Sequence, residues 1–426
     1  MKIELNHITR IEGHAHLVVD RKQGEIKDCR LEIVESPRFF EAMLKGRHFS
    51  DVAPIVARVC GVCSISHTLA SLMATEQALG VEPDAKARLL RRLLSFGEIM
   101  QSHLLQLYFM AVPDYLGISS IFQLLDSRRE LVARALRLKR TANRICEVIG
   151  GRPIHPVTTT IGGFSVMPYV SDLKHLRQEL VAALPDLEAT VELFAGFDFP
   201  EFERETEYIC LSDPGHYPLH ANRFCSSSGL NAAVTDYKKE VEEYLTGYST
   251  AKFARTARGS YMVGPLARFK NNFPRLSPMA RKVASALTID ADTINPYHSL
   301  KARLVEVVNY VEESIHTIDE LLLHGLNGTK PRAVPTGGGQ GTAAVEAPRG
   351  LLFHSYTYDR NGLLDTADCV IPTAQNLANI ETDLKAILPE LLDRSDQELT
   401  RRLEMLIRSY DPCLSCSTHL LKIDLV

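Results

Sequence analysis

A chain of 426 residues is long enough for two or three ordinary domains, and 45% hydrophobic with 23% charged residues is the composition of a globular protein. The net charge of −4 gives no reason to expect nucleic acid or an anionic membrane as a partner. The opening "MKIELNHITRIEGH" is charged from its second residue and lacks the apolar centre of a signal peptide, and no uninterrupted apolar run reaches about 18 residues; a cytoplasmic location with no membrane span is expected.

Residues 1–35 alternate apolar and polar positions ("AHLVVD", "CRLEIVE") around the turn-like "DRKQGE", which predicts a hairpin or small sheet. From about residue 50 a helical period dominates, clearest at 85–112, 124–149, 171–196, 298–325 and 374–393. A further helix is expected over 396–410, with Ser395 and Asp396 near its N-cap. Gly/Pro-rich connections lie at 150–164, 259–266 and 333–350. The "GGGQG" at 337–341 lacks the Lys-Ser/Thr of a phosphate loop and does not fit Gly-x-Gly-x-x-Gly after a strand, so it reads as a turn-rich loop passing close to another part of the chain. With no repeat and no low-complexity linker, the expectation is one mainly α (α+β) domain over 1–426, largely helical with a small N-terminal β element.

Of nine cysteines, Cys29, Cys146, Cys210, Cys225 and Cys369 stand singly and read as small buried hydrophobes. The other four form two Cys-x-x-Cys pairs: Cys60 and Cys63, with His67 following, and Cys413 and Cys416, with His419 following. Each such turn can aim two thiolates at one centre, and four thiolates suit zinc, iron–sulfur, copper(I), or a nickel or iron centre. A structural zinc site is the bland interpretation. Against it, the pairs lie at opposite ends of the chain, a core this large needs no metal staple, and Arg58, His67, Asp411 and His419 supply acid–base groups nearby. A thioredoxin-like pair would need a βαβ setting that is not evident. Spacing alone leaves zinc and a redox metal both open.

The motifs go further. "RVCGVCSISH" (58–67) and "DPCLSCSTH" (411–419) resemble the two metal motifs of nickel–iron hydrogenase large subunits, and "ITRIEGH", "FFEAMLKGR", "GGRPIHP", "GPLAR", "EAPRG" and "PTAQN" match that family in order along nearly the whole chain. The resemblance implies the large-subunit fold and a catalytic subunit that reversibly splits H2 into protons and electrons. Cys60 and Cys413 would be terminal nickel ligands, with Cys63 and Cys416 bridging to an iron that carries carbon monoxide and cyanide. Arg349 would stand over the open site and Asp411 beside it. His67 would tune a bridging thiolate through a hydrogen bond. Thr373 and the backbone near Ile371 would meet one cyanide, and Pro348 and Arg349 would line the pocket of the other. Glu12 would relay protons outward; its bland alternative is a salt bridge to Arg10 or a helix-end contact. Glu41, the Cys369 carbonyl and His419 would hold a magnesium (or iron) ion.

The triplet ending at His103 reads "QSH", so Ser102 stands where many membrane-bound and periplasmic members have an aspartate. That form resembles the cytoplasmic, multimeric hydrogenases, which pass electrons to NAD(P), deazaflavin or ferredoxin. No further cysteine grouping for an iron–sulfur cluster and no nicotinamide-binding fingerprint is evident in this chain. An iron–sulfur small subunit, and flavin/iron–sulfur electron-transfer subunits beyond it, are therefore expected partners. The family also implies a maturation endopeptidase cutting between His419 and Leu420, making 420–426 a removable extension.

Overall fold

The computed structural model describes residues 2–5, 8–22, 25–326 and 337–418; the His419 ligand and the 420–426 extension lie outside the described residues. The N-terminal sheet is a three-stranded antiparallel meander, Lys2–Leu5, Ala15–Lys22 and Glu25–Ile33. Its alternation is the one written in the sequence: Ala15, Leu17, Val19, Cys29, Leu31 and Ile33 are buried on one face. That face packs on the Pro372–Leu391 helix, whose Glu381 accepts the Leu31 N–H at 2.9 Å.

The helical body has the long helices Ala85–Leu105, Arg129–Gly150 and Ser299–His324 packed side by side. Within the expected 85–112 span the first is α-helical only to Leu105; a π-helical stretch, Gln106–Ala111, follows and leads into Val112–Leu116. The helix expected over 171–196 is two, Val170–Ala182 and Leu184–Ala195, because Pro185 cannot donate into a continuous ladder and sits instead in the first turn of the second. Ser395 caps Asp396–Tyr410 as expected, its hydroxyl accepting the Glu398 N–H at 3.3 Å.

The 333–350 stretch departs most from the expected connection. From Gly339 it is a strand, Gly339–Ala347, turning at Pro348 and Arg349 into Gly350–Tyr358 and then pairing with Leu364–Val370. This sheet lies on the Ser64–Leu79 helix so closely that a Cβ on Gly341 would stand 2.0 Å from the Ala74 carbonyl oxygen. The glycines are there for close approach, as the sequence suggests, but between a strand and a helix.

Candidate metal centre

Each cysteine pair is held by its own local chemistry. After a 3₁₀ turn at Ala57–Val59, Cys60 is extended, and the N–H groups of Val62 and Cys63 donate to its sulfur at 3.3 and 3.1 Å. The Ser64–Leu79 helix begins immediately, its N-terminal donors capped by buried Glu98, which accepts from Ile65 N–H at 2.6 Å and Ser66 N–H at 2.9 Å. At the other end, the Asp396–Tyr410 helix stops because Asp411 turns left-handed (φ 55°) and Pro412 cannot continue it. The Cys413 N–H then donates to Thr373 Oγ1 at 2.9 Å.

Tertiary packing brings the two ends together. The four sulfurs of Cys60, Cys63, Cys413 and Cys416 all lie within 4.8 Å of one another and are buried. First meets first and second meets second: Cys60 to Cys413 is 3.7 Å and Cys63 to Cys416 is 3.9 Å. Backbone bonds clamp the C-terminal segment, with Arg38 N–H donating to Thr418 O at 2.9 Å and Lys252 N–H to Ser417 O at 3.3 Å. Cys60 is held well below the usual thiol range by hydrogen bonds from Cys413, Cys416 and Cys63, while hydrogen bonding to Cys413, Cys60 and Cys63, with burial, pushes Cys416 well up. Ionising all four sulfurs in one buried space requires cations among them, so the donor set fits soft metal ions.

Arg349 occupies the two-residue turn between paired Ala347 and Gly350. Its Nε donates to the Asp411 carbonyl at 2.7 Å and Nη2 to Asp411 Oδ1 at 3.0 Å. Nη1 is buried without a partner, as is Asp411 Oδ2. Although burial opposes its charge, Asp411 and the neighbouring cysteines hold the guanidinium protonated. The turn can approach so closely because Gly264 faces it: a Cβ there would lie 2.9 Å from Arg349 O. That contact joins "GPLAR" to "PRG". "PTAQN" completes the support, with Asn376 Oδ1 accepting the Val263 N–H at 2.8 Å and Gln375 Nε2 donating to Leu351 O at 2.5 Å.

Of the other expected site residues, His67, Ile371, Thr373 and Arg349 line one small cavity with Cys63, Cys413 and Cys416. His67 Nδ1 hydrogen-bonds His354 Nε2 at 3.1 Å, and burial brings His67 down to about 4, so the ring is neutral. Pro348 lies in the turn, its carbonyl accepting from Arg268. Glu12 bridges to Cys413, its carbonyl accepting the Leu414 N–H at 3.0 Å, and its carboxylate accepts the Ser415 N–H at 3.2 Å and the Ser415 hydroxyl. Arg10 turns instead to Asp114 at 2.5 Å and Met110 O at 2.7 Å. Of the two bland alternatives for Glu12, the helix-end contact is therefore present and the Arg10 bridge is not. Glu41 and Cys369 do meet: Cys369 N–H donates to Glu41 Oε1 at 2.9 Å, and Lys252 Nζ lies 3.3 Å from the same oxygen, leaving Oε2 buried and unpartnered. His155 of "GGRPIHP" braces the first pair, donating its N–H to Ser64 Oγ at 2.8 Å.

Glu98, Arg303, Arg268 and Glu306 escaped the sequence reading. Arg268 and Glu306 form a buried pair at 2.6 Å, and Arg268 also carries Glu346 and the Ala347 and Pro348 carbonyls behind Arg349. The available signal was an Arg and a Glu inside the apolar run "LKARLVEVV".

A buried four-thiolate cage under a guanidinium, set in a large α+β body, is the site of a protein that binds soft metal ions. The comparisons give the family. "Nickel-dependent hydrogenase" matches residues 38–133 and 226–419, and "HoxL-like" matches 2–36. The chain is 32% identical to the alpha chain of sulfhydrogenase 1 of Pyrococcus furiosus over 99% of both chains. It is also 32% identical to a chain of the F420-non-reducing hydrogenase of Methanothermobacter marburgensis, over 98% of this chain and 95% of that one. An NAD+-reducing [NiFe]-hydrogenase solved in the H2-reduced state superposes with a TM-score of 0.87 at 26% identity, covering 98% of this chain and 99% of that one. The chain belongs to the nickel-dependent hydrogenase family and is a hydrogenase large subunit. Among its described residues no helix is long and apolar enough to cross a membrane.

Proposed function

We propose that this chain is a single catalytic domain in which Cys60, Cys63, Cys413 and Cys416 would hold a nickel–iron centre, Cys60 and Cys413 as ligands of nickel alone and Cys63 and Cys416 as ligands shared with an iron that would carry carbon monoxide and cyanide. The pairing of first with first and second with second cysteine carries this assignment. When bound, that centre supplies the electron-rich site at which H2 is split into protons and electrons.

The chain's own residues orient the reactants and move the proton. Arg349 presents its free Nη1 beside the cage, oriented by two bonds to Asp411. It stays charged, so it acts as a fixed positive group, and a cysteine sulfur takes the first proton. Glu12 contacts the backbone of the second pair and accepts from Ser415, next to Cys416, which suits it to carry that proton outward through its carboxylate. Thr373 accepts from Cys413, keeps its O–H as a donor, and with the Ile371 backbone would receive one cyanide in the cavity they line; Arg349, which lines the same cavity, and Pro348 before it would flank the other. His67 lines the same cavity as a neutral ring, held by His354. Glu41, the Cys369 carbonyl and His419 would hold magnesium or iron, for which the unpartnered Glu41 Oε2 is a ready ligand.

The relatives are named as subunits of sulfhydrogenases, F420-non-reducing and NAD-reducing hydrogenases, so they share this chain type but not one acceptor. We infer an iron–sulfur small subunit, flavin/iron–sulfur subunits beyond it, a soluble carrier, a cytoplasmic setting and endopeptidase maturation after His419. Elemental analysis and infrared spectroscopy of the purified complex test the centre: one nickel per chain, iron, and metal carbonyl and cyanide bands are expected. Stoichiometric zinc without those bands overturns the assignment. Intact mass of the active chain should end at His419.

A further inference from the structure

Two cysteines read as single hydrophobes are neighbours. The antiparallel strands Glu207–Leu211 and Arg223–Ser226 place Cys210 directly opposite Cys225. Ser212 N–H donates to Arg223 O and Ser227 N–H to Tyr208 O, both at 3.0 Å, two residues to either side. By that alternation Cys210 and Cys225 form a hydrogen-bonded pair, with Cα atoms about 5.5 Å apart, inside the range a disulfide spans. In a hydrogen-bonded pair the Cβ atoms stand toward the far end of the cross-strand range of about 4.5–5.5 Å, roughly 1 Å beyond the Cβ separation of a disulfide, so the bond closes only with an inward shift of the two strands. Disulfides formed under such strain are the readily reduced, labile ones.

The pair is also chemically divided. Cys225 is half-buried and reachable, whereas Cys210 is fully buried. Hydrogen bonding to Cys210 brings the Cys225 thiol down to about 7, and burial pushes Cys210 well up, so Cys225 is the attacking sulfur and Cys210 the resolving one. Asn272 Nδ2 donates to Cys210 Sγ at 3.2 Å. Asn272 ends the Pro265–Asn272 helix; its N-cap, Gly264, touches Arg349, and Arg268 between them holds the Pro348 carbonyl.

We propose that Cys210 and Cys225 are a reversible dithiol–disulfide site, oxidised by a low-molecular-weight disulfide and coupled through the Pro265–Asn272 helix to Arg349. The Cys225 thiolate attacks one sulfur of the small disulfide, forming a mixed disulfide and expelling one small thiolate. Cys210 then attacks the Cys225 sulfur, its proton passing to the second departing thiolate. Two protein thiols are oxidised and one small disulfide is reduced to two thiols. The coupling, though not the disulfide, rests on the catalytic role given to Arg349 above.

The test is an anaerobic titration of the purified complex with oxidised and reduced glutathione, quenched by alkylation. Expected are a Cys210–Cys225 linked peptide 2 Da lighter than the dithiol pair, reversed by dithiothreitol, and a fall of at least about twofold in H2 uptake with a viologen dye, absent in Cys225→Ser. No linked peptide at any ratio overturns the site. A linked peptide with uptake unchanged, or changed equally in Cys225→Ser, overturns the coupling.

Discussion

Two buried arginines face two sets of acids within one molecule, and they are finished differently. Arg268 has all its N–H directions answered: Glu306 through Nε and Nη2 at 2.6 Å, Glu346 and Ala347 O through Nη1 at 3.0 and 2.9 Å, and Pro348 O through Nη2 at 3.3 Å. Tyr217 and His103 occupy the remaining faces of Glu306, each at 2.7 Å. Arg349 keeps Nη1 unanswered, and Asp411 keeps Oδ2 unanswered, with Arg303 Nη2 still 4.0 Å from it. An arginine with every N–H answered is held rigidly, whereas one with an unpartnered N–H on a cavity lined by the cysteines keeps a donor for a ligand. The molecule uses the first to hold the second: the carbonyls that Arg268 clasps belong to the two residues before Arg349.

That division can be broken experimentally. The largest effect is expected at the cage itself: Cys60→Ala or Cys413→Ala should lose nickel by elemental analysis and reduce H2 uptake to background, while the chain stays folded by circular dichroism. Next, Arg268→Leu leaves Glu306 and Glu346 as uncompensated buried charges and should cost about 3–5 kcal/mol in denaturant unfolding of the complex. Arg349→Lys keeps the charge but loses the fork, so turnover should fall about 10²–10³-fold with the unfolding midpoint nearly unchanged. If it destabilises as much as Arg268→Leu, the two arginines are not divided into scaffold and site.

The smallest effect is in pH. Burial holds His103 down at about 4, below its unfolded value near 6.5, despite Glu306. Between those values the unfolded state binds the extra proton. Stability conferred by neutral His103 is therefore whole above about pH 6.5 and lost as pH falls toward 4, on the order of a few kcal/mol. His103→Gln should flatten the unfolding midpoint across that window; an unchanged slope would remove His103 from the network.

Much of this was legible in the chain. The N-terminal meander showed in its period of two, the long helices in their apolar period, the Ser395 cap in its residue type, and both cysteine pairs in their spacing. The Pro185 break and the Gly339–Tyr358 hairpin were missed because a Gly/Pro-rich stretch reads as a connection whether or not a neighbouring helix demands its glycines. Cys210 and Cys225 were read singly because nothing in a linear sequence announces strand register.

The sequence by itself determined the donor set: four soft sulfurs, an arginine between a proline and a glycine, and an Asp-Pro that ends a helix just before the second pair. Those follow from residue type and local conformation. Only the tertiary structure decided which sulfur faces which, that Glu12 binds the second pair while Arg10 goes to Asp114, and that Arg268 stands behind Arg349. These depend on segments far apart in sequence being packed at fixed distances, and a buried charge takes whichever partner the packing brings within reach.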